Sequence, residues 1–175
     1  MPGHVLVVGG TGMLSGLVEA LAGDGGRLSL LSRRASKVAG ASGFDCDYHD
    51  TEAFAAARGA AVERSGPIDL AIAWFHSLKI AAPRLLAENV DGRLFQVLGS
   101  ATADPGHPDR LGRAASVAAD LPSCRLRQVV LGFRLADGGA RWLTNAEISQ
   151  GVLEAVGADR ALTIIGQVEP WSARP

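Results

Sequence analysis

His4-Val5-Leu6-Val7-Val8-Gly9-Gly10-Thr11-Gly12-Met13-Leu14-Ser15-Gly16 is the stretch that decides the fold of this chain. An apolar run passes straight into a glycine cluster, and Leu17, Val18, Ala20 and Leu21 continue with helical periodicity. Strand, tight turn and helix in that order bring the backbone to a sheet edge. There the unpaired N–H groups and positive end of the helix face an anion. Glycines allow the close approach that a diphosphate needs, so the corner is expected to bind a dinucleotide through Gly9, Thr11, Gly12, Met13 and Leu14. The frame departs from G-x-x-G-x-x-G at Ser15, with a glycine following at Gly16. A tight strand–helix turn that binds nothing is the bland alternative.

Outward from this corner, strand and helix signals alternate. Val5–Val8 reads as a strand, Thr11–Ala22 as a helix, and Arg27–Leu31 as a second strand after the Gly23-Asp24-Gly25-Gly26 turn. Gly43–Asp47 is a third strand, and Asp50 caps an alanine-rich helix through about Val62. Pro67–Trp74 has the near-continuous apolar pattern of a strand buried on both faces. A helix over Ser77–Glu88, a strand over Arg93–Leu98, a loop over Ala101–Pro108 and a helix over Asp109–Ala119 follow. Arg125–Leu135 is expected as one long strand, with Arg141–Leu143 pairing back after Asp137-Gly138-Gly139. Thr144-Asn145-Ala146-Glu147 is a capping box for a helix over Ala146–Val156, and Ala161–Val168 makes the last strand. The expected fold class is α/β: a Rossmann-like, doubly wound, mostly parallel sheet flanked by helices, in a single domain over residues 1–175.

Composition narrows the function. Of 175 residues 47% are hydrophobic, and 17 basic side chains nearly balance 18 acidic ones. The near-neutral balance, without a basic tract, gives nucleic acid no electrostatic footprint. Cys46 and Cys124 stand far apart, with no ligand-like spacing, so no metal site is expected and two buried thiols are the reading. No charged leader precedes the first strand and no apolar run is long enough for a bilayer, so no membrane partner and a reduced, cytoplasmic setting are expected.

The end of the second strand carries Ser32-Arg33-Arg34 where a carboxylate would accept the ribose hydroxyls of NAD. Guanidinium groups pair with a 2′-phosphate instead and can stack on adenine, which favours NADP(H) as cofactor. The alternative is that Arg33 and Arg34 only solvate a loop.

Gly9-Gly10-Thr11-Gly12 resembles the phosphate turn of the short-chain dehydrogenase/reductase family, most closely its shortened, atypical members. Cys46-Asp47-Tyr48-His49-Asp50 is similar to the segment after that family's third strand, and the resemblance implies Asp47, with Tyr48, beside the adenine. Trp74-Phe75-His76 stands where the family's Asn-Ala-Gly follows the fourth strand, and Ser100 falls where its catalytic serine ends the fifth. The likeness covers roughly residues 1–135 and weakens along the chain. It also implies assembly as a homo-oligomer.

The family's proton-donating Tyr-x-x-x-Lys pair is missing. The one tyrosine, Tyr48, belongs to the adenine segment, and the only lysines are Lys37 and Lys79. Ligands of doubly wound sheets sit beyond the carboxyl ends of the strands, which selects His76, Ser77 and Lys79 after the fourth strand and Ser100 after the fifth. His76 is the candidate proton donor, with structural hydrogen bonding as the alternative, and Ser100 is the candidate that polarises a substrate oxygen. Lys79 is read either as a ribose ligand or as a solvated lysine. Trp142 is read as a pocket wall or as hairpin packing, Glu147 as the partner in its capping box, and Trp171 as an anchor for the tail. The leading expectation is an NADP(H)-dependent oxidoreductase of atypical short-chain type, acting on a small organic carbonyl, imine or alkene. The alternatives are a non-catalytic NADP(H)-binding sensor or partner subunit, and a non-redox lyase or isomerase.

Overall fold

A computed structural model describes residues 3–77 and 79–175. Its first strand, β1 (His4–Val8), is buried at every position. Such a strand must be covered on both sides. Val5 and Val7 face one core layer with Leu17 and Val18 of α1 (Ser15–Gly23), and Leu6 and Val8 face the other. β2 (Arg27–Ser32) and β4 (Ile68–Trp74) flank β1 in parallel register, pairing Leu28 and Leu70 with Val5. Beyond them lie β3 (Ser42–Asp45) on one side, and β5 (Val90–Gly99), β6 (Cys124–Leu131) and β9 (Leu162–Ile165) on the other. The seven strands run β3-β2-β1-β4-β5-β6-β9, all parallel, so the expected doubly wound α/β sheet of a single domain is what forms.

α2 (Thr51–Ser65), α3 (Ala82–Ala87) and α4 (Arg110–Ala115) cover the face carrying Leu6 and Val8, on the side of Phe54, Leu86 and Ala114. α5 (Asn145–Ala158) instead joins α1 on the opposite face, where Ser149 Oγ donates to Met13 O at 3.1 Å. The β4–β5 and β5–β6 connections both run over the face of Leu6 and Val8 in one direction, which by the general rule for parallel crossovers makes them right-handed. The β6–β9 connection continues in the same direction over the other face, so its hand is reversed. This exception is invisible in the strand–helix order of the sequence.

Several expected elements differ. The helix expected over Asp109–Ala119 is α-helical only over Arg110–Ala115. The last strand is Leu162–Ile165 rather than Ala161–Val168, because Gly166 turns the chain at φ +77°. Three further elements also depart from expectation. The first helix begins at Ser15 rather than Thr11, because residues 11–14 complete the glycine turn and the Ser15 N–H bonds back to Gly12 O at 3.0 Å. The helix expected over Ser77–Glu88 is cut to Ala82–Ala87. Pro83 sets its first turn, and the Ser77 hydroxyl accepts the Lys79 N–H at 3.2 Å, which competes with helix geometry. Leu78, inside that expected helix, lies outside the described residues. The strand expected over Arg125–Leu135 breaks at Gly132, where any side chain would meet Gln167 O at 2.1 Å. Phe133 then pairs antiparallel with Gln167, and β7 (Phe133–Ala136) turns into β8 (Gly139–Trp142) as an outlying hairpin. The capping box forms as expected: Thr144 Oγ1 accepts from Glu147 N at 3.2 Å, and Glu147 Oε2 accepts from Thr144 N at 2.8 Å. Among the described residues no helix is long and apolar enough to cross a membrane.

Candidate functional site

The carboxyl ends of β1, β2, β4, β5 and β6 converge on one edge of the sheet, the edge where doubly wound folds bind ligands. At the end of β1, Gly9 has φ +79°, a conformation costly for other residues, and a side chain there would stand 2.8 Å from Trp74 O. Gly10 packs under the turn, where a Cβ would collide with Leu30 and Val18 at 2.7 Å. Gly12 is exposed and a Cβ there would meet nothing within 4 Å. Thr11 beside it is exposed and Met13 is half-buried against the core, while the Leu14 side chain is wholly buried, so Leu14 offers a ligand only its backbone. No side chain caps α1 and no carboxylate occupies its first turn, which leaves its positive end to an external anion. The missing third glycine is absorbed here. Ser15 is exposed, while Gly16 lets α1 approach Ser149 of α5.

At the end of β2, Ser32 is buried and its Oγ accepts the Arg34 N–H at 3.4 Å. Arg33 and Arg34 are exposed, and among the described residues neither forms an ion pair. Asp47, after β3, is exposed and holds the His49 N–H at 2.9 Å. Tyr48 does more than line this segment. Its ring stands edge-on to Phe75, 5.2 Å between centroids, and its hydroxyl accepts the His76 N–H at 3.4 Å. The loop after β3 is thereby tied to the segment that follows β4.

A cleft of about 730 Å³ opens beside the ends of β4 and β5, lined by Trp74, Phe75, His76, Thr102, Arg110 and others. The Trp74 indole leans from Gly9 to Gly99: a Cβ built on either glycine would lie 3.6 Å from it. His76 is exposed, with its ring edge-on to Trp74 at 5.5 Å. Ser100 is close by in the chain but is not part of the lining. It is buried, and its Oγ accepts from Arg174 Nε at 3.0 Å. The Arg174 guanidinium is held between Trp142 and Trp171, 5.0 Å from each ring. His76 and Ser100 therefore occupy adjacent strand ends, one open to the cleft and one covered by the tail.

Three side chains of the cleft escaped the sequence reading: His107, Arg110 and Arg113. Their spacing of three residues, which puts them along one side of a turn entering α4, was the available signal. Arg113 pairs with Asp109, while the first two are organised by Asp104. Its Oδ2 accepts from His107 Nδ1 at 2.9 Å and from Arg110 Nη1 at 3.3 Å, and these partners, with the Gly106 N–H, hold its carboxyl below the usual range. Two buried amides anchor α4 to the sheet. Gln96 Nε2 donates to Ala114 O at 3.1 Å, and Gln128 Nε2 donates to Leu111 O at 3.1 Å and Gln96 Oε1 at 3.2 Å.

Other ionisable groups near the edge are structural. Glu147 takes Arg141 through both oxygens at 2.8 and 3.0 Å, which together with the Thr144 N–H keeps it well below its ordinary pKa, and it also accepts from Arg134 at 3.1 Å. Cys46 and Cys124 are buried free thiols, and burial pushes Cys46 up to about 11.

No family model matches the sequence, and no curated protein aligns with it significantly. Solved structures do match. A double mutant of a short-chain dehydrogenase/reductase from Serratia marcescens superposes with a TM-score of 0.65 at 18% identity, covering 93% of this chain and 95% of that one. An anaerobillin reductase from Escherichia coli gives 0.66 at 18% identity over 95% and 97%. The aldohexose dehydrogenase of Thermoplasma acidophilum, in ligand-free form, gives 0.68 at 11% identity over 93% and 92%. The chain thus has the Rossmann-type fold of short-chain dehydrogenase/reductase structures.

Proposed function

We propose that this chain is an NADP(H)-dependent oxidoreductase of atypical short-chain type, acting on a small organic carbonyl, imine or alkene. The observation that carries the reading is the pairing of an uncapped glycine corner at β1 with two exposed arginines at the end of β2 that form no ion pair among the described residues. The first suits a diphosphate and the second a 2′-phosphate. The residues fit the cofactor: the space above Gly12 is open, and Asp47 and Tyr48 stand at the end of the adjoining strand. The dehydrogenase and reductase activities of the fold neighbours point the same way.

When bound, NADPH supplies the hydride. The chain's own part is to orient the substrate and deliver a proton. His76, exposed beside Trp74 and lining the cleft, is the candidate donor in place of the absent tyrosine. Arg174 Nε–H occupies a lone pair of Ser100, so the Ser100 hydroxyl proton is left to polarise a substrate oxygen once the tail gives access. That covering contact is also what favours the second reading, an NADP(H)-binding sensor without turnover.

Calorimetric titration with NADPH and NADH, followed by a screen of NADPH oxidation against carbonyls, imines and enones, tests both. NADPH binding with turnover of at least one class supports the enzyme, binding without turnover supports the sensor, and no binding rejects both.

A further inference from the structure

The cleft beside Trp74 has a one-sided charge. Its lining includes His76, Lys79, His107, Arg110 and Arg113 and no carboxylate. The acids that answer these cations lie outside the lining: Asp104 pairs with His107 and Arg110, and Asp109 with Arg113. Three permanent positive charges against two carboxylates leave a surplus of one before either imidazole is protonated. Trp74, Phe75, Leu98 and Ala114 supply low-polarity walls. Such walls strengthen the field of the cations along the part of the cleft they line. The volume, about 730 Å³, falls within the range of small-molecule sites.

We infer that this cleft takes an organic monoanion: a substrate bearing one carboxylate, held by Arg113 and Lys79 with its reducible group toward Trp74 and His76. The inference rests on the oxidoreductase reading and adds the substrate's charge to it. A single carboxylate matches the surplus of one, whereas a phosphate monoester would bring close to two charges. Arg113 is the stronger of the two ligands because its planar fork can take both carboxylate oxygens. Its side chain is 72% exposed, so exchanging its Asp109 partner for a ligand carboxylate disturbs no core packing.

The test is a titration of the whole chain, alone and saturated with NADP⁺, followed through the Trp74 indole N–H resonance assigned with Trp74→Phe. The probes are small oxo-carboxylates and their neutral amides, levulinate against levulinamide among them, with methyl phosphate as a third arm. Levulinate or a sister oxo-acid is expected to bind at least tenfold more tightly than its amide. Arg113→Gln and Lys79→Gln should each weaken that binding about fivefold or more without moving the thermal midpoint. Acids and amides binding alike, or neither moving Trp74 while NADPH still binds, would overturn the inference and leave the oxidoreductase reading intact. Tighter binding of methyl phosphate would overturn the carboxylate assignment. Carboxylate selectivity in a chain that binds no NADPH would reject the oxidoreductase reading and leave the anion cleft standing.

Discussion

Arg174 and Ser100, 74 positions apart, meet where the fifth strand ends: the guanidinium Nε donates to the serine hydroxyl at 3.0 Å while Trp142 and Trp171 face the guanidinium from 5.0 Å each. Two cation–π contacts, one at the exposed Trp142 and one at the half-buried Trp171, are worth about 0.5–1 kcal/mol each. Arg174→Ala should therefore lower unfolding stability by about 1–2 kcal/mol, read from urea melts by tryptophan emission. Arg174→Lys should recover part of that loss while leaving the Ser100 bond unmade. An alanine variant as stable as the parent would show that the clamp orders the tail without stabilising the fold.

The cofactor preference predicted from Ser32-Arg33-Arg34 is directly measurable. A charge-assisted hydrogen bond contributes about 1.5–3 kcal/mol, roughly ten- to a hundredfold in affinity. Arg33→Asp or Arg34→Asp should weaken NADPH by that factor and leave NADH within about threefold. Equal losses for both nucleotides in calorimetry would count against a 2′-phosphate partner.

The glycine corner separates folding from binding. Gly9→Ala forces a side chain into φ +79° and to 2.8 Å from Trp74 O, so its thermal midpoint should fall by several degrees. Gly12→Ala adds a methyl group that touches nothing in the protein. Its midpoint should stay put while NADPH affinity drops at least about tenfold, because the methyl enters the space the diphosphate needs. Unchanged affinity in Gly12→Ala would move the phosphate site elsewhere.

How much of this was legible in the chain depends on how local each interaction is. β1, β2 and β4 announce themselves as apolar runs, and Asp50 and Thr144 as helix caps, because pattern and cap chemistry act over a few residues. Gly132 looks like any strand glycine until Gln167, just past the end of β9, is known to press on it. The reversed hand of the last crossover is set by α5 choosing α1 as its neighbour through Ser149 and Gly16, which no periodicity encodes. The site divides in the same way. Gly9, Gly12 and Arg33 follow from one local β1–α1–β2 unit, whereas the covering of Ser100 by Arg174, and the cationic cleft joining His76 to Arg110 and Arg113, need the sheet to bring distant segments together.

A fourth expectation concerns the opposite edge of the sheet, where His4 is buried completely. Its Nδ1 lies 2.8 Å from Gly66 O, which can only accept, so Nδ1 carries the proton and Nε2 accepts from the Ser29 hydroxyl at 2.8 Å. Desolvation, chiefly, and the nearby Arg27 charge lower the pKa of His4 below 6.5, against the opposing pull of Gly66 O, Asp69 and Pro67 O. The unfolded chain therefore takes up this proton before the folded one does. The contribution of His4 to stability is complete above pH 6.5 and shrinks as the pH falls from there toward the lowered native value. One proton sets the ceiling on the slope in that window, about 1.4 kcal/mol per pH unit. The depressed carboxyls Asp45, Asp104, Asp120, Asp159 and Glu147 act only at lower pH, since their unfolded values are 3.8 to 4.5. In urea melts between about pH 8 and pH 5, His4→Asn, which keeps a donor toward Gly66 but cannot titrate, should start less stable and lose less on acidification than the parent. Parallel pH profiles for the two proteins would remove His4 as the source of acid sensitivity.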